Sequence, residues 1–269
     1  VSDQVVEAVE EEYGLNEPLF DQYLTYMGNL VHGDLGVSYQ EPDTAVAEII
    51  GRTWPVTVSL GLAALLAAVV LGTGLGILRA VSKSRIVREG ILAGGMLAAG
   101  IPNFAVAILL LLVFSVKLGW FPAAGLLTPA HYVLPVISLA LYPAAVISRL
   151  TGNTLSAELG KQYVLFARAK GLGRGRIIFT HALKNAWIPV LNYVGPASAF
   201  LLTGSFVVES IFTIPGLGRE FVSSITNRDY TLILGLTVFM GMVVILVNLV
   251  TDLVCAWMDP RMRRSYRGR

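Results

Sequence analysis

Five stretches of this chain carry no charged side chain: Thr57 to Leu78, Gly90 to Val116, Tyr132 to Ser148, Asn185 to Val208 and Tyr230 to Thr251, running to 22, 27, 17, 24 and 22 residues. A helix needs about 20 apolar residues to cross roughly 30 Å of hydrocarbon. One arginine at the centre of a span costs about 2.5–3.5 kcal/mol, whereas a good apolar residue gains only about 0.3–0.6 kcal/mol. Five successive windows kept clear of charge therefore point to lipid as the solvent and predict an all-α integral membrane protein with five spans present. The third window is the short one, and Leu150 and Thr151 lengthen it if Arg149 snorkels. Charged residues make up only 14% of the chain, against about 25% in soluble proteins. That deficit, with a net charge of only +2, argues against a nucleic-acid partner. Cys255 is the sole cysteine, so no intrachain disulfide or cysteine metal cluster can form, and the residue reads as a packed free thiol.

The basic residues fall in alternate gaps. Four lie between Arg79 and Arg88, seven between Arg149 and Lys184, and five in the tail from Arg261 to Arg269, together 16 of the 20 Lys and Arg. The positive-inside rule makes these three segments cytoplasmic. The C-terminus is then inside and the first 52 residues are outside, although they contain neither a span nor a signal peptide. The expectation is a further helix preceding the five, with a cleaved signal peptide as the competing account. The resulting plan is an extracytoplasmic segment over 1–56, a transmembrane domain over 57–256 with a cytoplasmic loop at 155–184, and a basic cytoplasmic tail over 257–269.

Along the chain, the acidic N-terminal segment carries apolar stripes at helical spacing. The first comprises Val5, Val6, Val9 and Tyr13, with Gly14 as a candidate cap; the second comprises Leu19, Tyr23, Tyr26, Met27 and Leu30. Both suit packing on the outer membrane face or docking of an external partner. Gly33-Asp34-Leu35-Gly36 reads as a turn. Gly72, Gly74 and Gly76 lie inside a lipid-length helix with no preceding strand, and predict close helix packing rather than a nucleotide loop. Pro102-Asn103, Pro135, Pro143, Pro189 and Pro196 are expected to interrupt the second, third and fourth spans. Such breaks survive only where neighbours or water satisfy the freed backbone groups, so they suggest a bundle around a pathway. The external loop from Glu209 to Arg219 is apolar enough to dip back towards a pore. Asn248 and Asp252 share one face of the last span, and Asp252 suits a helix-end partner for the tail arginines.

The loop from Leu155 to Lys184 is long for a helix connection and too polar to span. A helix-compatible run ends at Tyr163-Val164-Leu165-Phe166-Ala167-Arg168-Ala169-Lys170, three glycines follow in Gly171-Leu172-Gly173-Arg174-Gly175-Arg176, and an apolar face resumes towards Pro189. This predicts a short helix across the cytoplasmic face, a turn, and an amphipathic approach to the next span. By composition alone it is also a basic loop suited to anionic headgroups.

The order of residues resembles the signature loop of permease subunits of ATP-binding-cassette importers. It comprises Ala167-Arg168-Ala169-Lys170-Gly171-Leu172, continued by His181-Ala182-Leu183-Lys184-Asn185-Ala186 and Pro189. Leu165 stands where the generic signature has glutamate. Further pieces resemble the B-type permease of the dipeptide/oligopeptide branch: Pro18-Leu19, Gln22-Tyr23, Gly33 to Ser38, Glu209 to Arg219, Arg228-Asp229-Tyr230, Asn248-Leu249 and Asp259-Pro260-Arg261. The resemblance implies a type I importer transmembrane domain of six helices. It implies a heterodimer with a C-type permease, two cytoplasmic ATPase subunits and an extracytoplasmic solute-binding protein, in the cell (inner) membrane. Its ATPase-coupling residues would be Tyr163, Phe166, Ala167, Arg168, Ala169, Lys170, Gly171 and Leu172. Arg168 and Lys170 would supply polar contacts, while Tyr163, Phe166 and Ala167 would pack.

The chain contains no GxxxxGK[ST] motif, so ATP chemistry is assigned to a partner and no cofactor is expected. Three scattered histidines (His32, His131, His181) and one cysteine do not make a catalytic or metal constellation. An ion-driven secondary transporter is the alternative. It would normally place ionisable groups at mid-membrane depth, and none of the five windows holds one.

Overall fold

The computed structural model describes residues 16–41 and 43–258. The first amphipathic stripe with Gly14, and the tail from Asp259 onward, lie outside them. In chain order the helices are α1 (Leu19–Val31), α2 (Val46–Val81), α3 (Arg85–Gly100) and α4 (Asn103–Leu110), which passes into a π-helical turn at Leu111–Lys117. After α5 (Pro129–Leu159) come α6 (Gln162–Ala169) and α7 (Arg174–Arg176), which leads through π-helical Ile177–Ala182 into α8 (Leu183–Ala186). The remainder is α9 (Ile188–Thr203), α10 (Phe206–Ile211), α11 (Leu217–Thr226) and α12 (Tyr230–Met258).

All five charge-free windows fall on helices long and apolar enough to cross a membrane, if the bent α3–α4 pair counts as one span. That pair turns through 98°. The break has a local cause. Pro102 has no N–H to continue the ladder, and its ring pushes Ile101 out of the helical region to φ −94°, ψ 125°. The other prolines behave differently from expectation. Pro135 and Pro143 lie inside the 31-residue α5, which runs on unbroken. Pro196 lies inside α9, and Pro189 occupies its first turn, where a missing N–H costs nothing. Both interior prolines of α5 are buried, so packing against neighbouring helices holds the helical path through them.

The bundle is organised around one seam. Residues of α2 meet residues of α5 in parallel register. Ser59 Oγ lies 3.0 Å from Tyr132 Oη, and Arg79 Nη2 donates to Asn153 Oδ1 at 3.0 Å. Between these points Gly72 sits on Ala144 and Ile147, and Gly76 on Ser148 and Thr151. A Cβ at Gly76 would come within 2.5 Å of Thr151 Cβ, and one at Gly72 within 2.7 Å of the Ala144 carbonyl oxygen. Gly74 faces open space, so two of the three glycines make the contact. Between helices in lipid there is little hydrophobic drive, and small residues act by letting backbones approach. Helix α9 packs antiparallel on α2, with Gly61 under Leu201 and Trp187 Nε1 donating to Thr73 Oγ1 at 3.2 Å. Helix α12 closes on α9 where Thr251 covers Gly195.

Two buried acids lock the opposite end. Glu209, 1% exposed, accepts from the Gly218 amide at 2.8 Å, the Arg219 amide at 3.1 Å, the Ser205 amide at 3.2 Å and the Thr57 hydroxyl at 3.2 Å. Thr57 in turn accepts from the Leu217 amide at 2.8 Å. The loop expected to dip inward does so: Phe212, Ile214 and Leu217 are buried in the core. Asp229, also 1% exposed, accepts from the Ser38 hydroxyl and from the Leu232 amide, and so ties the segment before α2 to the start of α12. Gly33 and Gly36 have φ +83° and +84°, and the Gly36 amide donates to Asp34 Oδ1 at 2.8 Å, which builds the turn read from the sequence. Helix α1 buries none of its residues against the rest of the chain.

Gly76→Leu should force α2 and α5 apart and cost about 1–3 kcal/mol, the usual range for overpacking, while Gly74→Leu should be neutral; the thermal midpoint in mild detergent reads both, and equal midpoints would refute the seam. Glu209→Ala strands four buried donors and should cost on the order of 3 kcal/mol. Glu209→Gln, which keeps one carbonyl acceptor, should fall between it and the parent. An unchanged midpoint for Glu209→Ala would show that the knot does not hold the loop.

Candidate functional site

The connector between α5 and α9 forms the element expected of it. Helix α6 starts at Gln162, and its C-terminus is closed by paired hydrogen bonds: the Gly171 amide to the Arg168 carbonyl at 2.9 Å and the Leu172 amide to the Ala167 carbonyl at 3.2 Å. This closure needs a left-handed residue, and Gly171 supplies it at φ +78°. A Cβ there would meet nothing within 4 Å, so the demand on Gly171 is conformational rather than steric.

The two faces of α6 differ. Val164 and Ala167 are buried against Ile177, with Leu172 and Tyr163 packed on the same cluster. Leu165 and Phe166 point away, 56% and 69% exposed. Arg168, Ala169 and Lys170 are exposed beside them. Of the residues expected to pack on a partner, Phe166 is therefore free to do so. Ala167 is spent on this chain's own core, and Tyr163 is half-buried behind the helix. The position at which the generic loop carries an acid presents Leu165 outward.

Behind α6 stands a brace that sequence reasoning did not single out. Glu158, at the end of α5, accepts from Lys161 Nζ at 2.5 Å and from the Tyr163 hydroxyl at 2.8 Å. Asn185 Nδ2 reaches the same hydroxyl at 3.5 Å. Burial, and then the hydrogen bond it donates to Glu158, push the Tyr163 phenol up from its ordinary value. Two further bonds tie the connector to the spans: Arg174 Nη2 to the Val81 carbonyl at 2.9 Å, and Thr154 Oγ1 to the Ala186 carbonyl at 2.8 Å. The Glu158–Lys161 spacing of i, i+3 was a readable signal. Tyr163 and Asn185 meet across a turn, and nothing local announces that pairing.

Beside the bend between α3 and α4 lies a cavity of 580 Å³. It is bounded by three prolines from three spans, Pro102, Pro143 and Pro196, and its polar side chains are Asn103, Tyr142 and Tyr193. No charged residue lines it. Three of the five prolines singled out in the sequence, Pro102, Pro143 and Pro196, thus line one open cavity, and Pro135 and Pro189 do not.

A lipid-length bundle with a proline-bent span, a chamber free of charge and a braced helix on one face define a helical membrane permease subunit. The chain belongs to the family described as binding-protein-dependent transport system inner membrane component, whose model matches residues 72–264. It is 39% identical over 267 residues to the dipeptide transport system permease protein DppB of Bacillus subtilis (strain 168), covering 99% of this chain and 87% of that protein. It is 40% identical over 262 residues to the oligopeptide transport system permease protein OppB of Haemophilus influenzae, covering 97% and 86%. Among solved structures it is similar to a chain from inward-facing conformations of the MetNI methionine ABC transporter, with TM-score 0.64 and 18% identity over 79% of this chain and 97% of that one. At that identity the likeness is one of fold: the type I importer transmembrane domain. The resemblance drawn from the connector is thereby shown, and the protein is a multi-pass permease component of this transport family.

Proposed function

We propose that this protein forms one half of the transmembrane pathway of an ATP-driven peptide importer and is moved by a separate ATPase that grips α6. The observation that carries the reading is the outward face of α6. It is a rigid helix, braced from behind, showing Leu165 and Phe166 beside Arg168 and Lys170 on the polar side of the bundle. Two exposed apolar side chains next to each other, ringed by cations, suit a groove on a partner better than open water. The 36–40% identity to dipeptide and oligopeptide permeases supports peptides as cargo. A C-type permease completes the pathway, two ATPase subunits supply the work, and an external binding protein delivers the solute. The connector and the C-terminus face the cytoplasm, in line with the positive-inside distribution of charge.

The chamber at the α3–α4 bend suits passage of peptides with varied side chains, since its apolar wall and three polar side chains impose no fixed charge preference. Coupling requires that the ATPase contact α6 differently in its open and closed states, because a partner can shift an equilibrium only by its differential affinity. The brace makes α6 a stiff lever. A displacement of Phe166 is passed to α5 through Tyr163 and Glu158, while Arg174 ties the turn that follows to α2 and Thr154 ties α5 to α8 at Ala186.

Phe166→Asp, in an importer reconstituted with its partner subunits, should reduce ATP-dependent dipeptide uptake on the order of tenfold or more, with the permease still inserted and its thermal midpoint unchanged. Gly171→Val places a β-branched residue in the left-handed region at a cost of about 1–2 kcal/mol, and should lower uptake and substrate-stimulated ATP hydrolysis together. Normal uptake in both variants would remove α6 as the coupling element.

A further inference from the structure

A second, smaller pocket of 240 Å³ opens between α2, α3 and α5 at the connector end of the seam. Arg79, Ser148 and Arg149 form its polar end, and Leu92, Met96 and Tyr142 are part of the rest. Arg79 is fixed in place. Its guanidinium lies over Gly152, where an added Cβ would come within 3.0 Å of Nη1, and its Nη2 is held by Asn153. Nη1 is shut off from solvent and has no hydrogen-bond partner. Neither arginine has an acidic partner among the described residues, where the ion pairs are Arg52–Glu41 and Lys161–Glu158. Two like charges thus share one pocket, one of them held in a fixed position, with no counter-charge, a placement that attracts an anion.

We propose that this pocket holds the phosphate of an anionic phospholipid, with the lipid's hydrocarbon lying along α3. The depth fits. Arg79 is in the last turn of α2, and Arg149 is the first charge after the window ending at Ser148, so both stand where a span leaves the hydrocarbon. Anionic lipid concentrates basic residues at the cytoplasmic leaflet, the side on which the connector lies in the orientation proposed above. The apolar part of the pocket sits on a helix with no buried residue, and Met96 and Leu97 are 60% and 70% exposed. An acyl chain needs only such a surface. A lipid bound in this way pins α3 between Ile91 and Ala99 to the α2–α5 seam, next to the bend and to the larger cavity, with which the pocket shares Ala99 and Tyr142.

Native mass spectrometry of the protein purified from its membrane, titrated with phosphatidylglycerol, phosphatidylcholine or inorganic phosphate, tests this without reference to transport or orientation. Phosphatidylglycerol should bind in preference to phosphatidylcholine. Arg79→Gln with Arg149→Gln should weaken it on the order of thirtyfold, from about 1 kcal/mol per arginine near the headgroup. Arg149→Gln alone, an exposed change that leaves the Arg79–Asn153 bond in place, should weaken it about fivefold. Arg85→Gln with Arg88→Gln removes the same charge outside the pocket and should leave the preference intact. Equal retention in the Arg79/Arg149 variant, or equal loss in the Arg85/Arg88 variant, would overturn the site. Displacement of phosphatidylglycerol by inorganic phosphate or by a dipeptide would overturn the lipid as its occupant.

Discussion

Two glycines four residues apart on α2 bring its backbone against α5 closely enough that no side chain fits between them, and the rest of the bundle is arranged around that contact. In lipid the usual reward for burying apolar surface is absent, so a seam of this kind must be held by contact at short range. Its register carries consequences at both ends. At one end it places Thr57 where its hydroxyl meets Glu209 and the Leu217 amide. At the other it places Arg79 over Gly152 and Asn153. The Glu209 knot and the Arg79 pocket stand at the two ends of α2.

The short helix at the polar edge is likewise tied to the bundle. Helix α6 is not a free arm. Its inner face is packed on Ile177, and Tyr163 in its first turn is held by Glu158, which Lys161 also binds. By contrast, the span formed by α3 and α4 is bent, has no buried residue in its first half, and borders the chamber.

Much of this was legible in the chain. The five windows are visible because charge in hydrocarbon is expensive enough to be purged, and the connector because three glycines interrupt an apolar helical pattern. The left-handed turn at Gly171 follows from the same signal. Other features were not legible, for definable reasons. A proline predicts a missing donor but not whether neighbours will hold the helix through it, so Pro102 broke its span while Pro135, Pro143 and Pro196 did not. Gly72 and Gly76, four residues apart, share one helix face, whereas Gly74 lies two from each on the opposite face, so the helical period already sets it outside the seam; what the sequence could not give is that α5 is the helix they meet. Ala167 and Phe166 are adjacent in the signature, yet the Ile177 cluster assigns one to the core and the other to the surface. Glu209 and Asp229 look like ordinary loop acids, since their donors come from segments as distant as Thr57 and Ser38.

The distribution of these acids and arginines bears on how the protein can move. Glu209 and Asp229 are satisfied by amides and hydroxyls within the chain, so these two buried charges need nothing from outside it. The end with Arg79 and Arg149 differs: it has charge without a counter-charge, an exposed helix α3 and an apolar face on α6. A permease that must shift between two shapes needs interactions that differ between those shapes, and a self-satisfied knot offers few. Polar satisfaction is thus uneven along the bundle: the bonds to Glu209 and Asp229 close on the chain itself, and the pocket of Arg79 and Arg149 leaves its charge open to an anion.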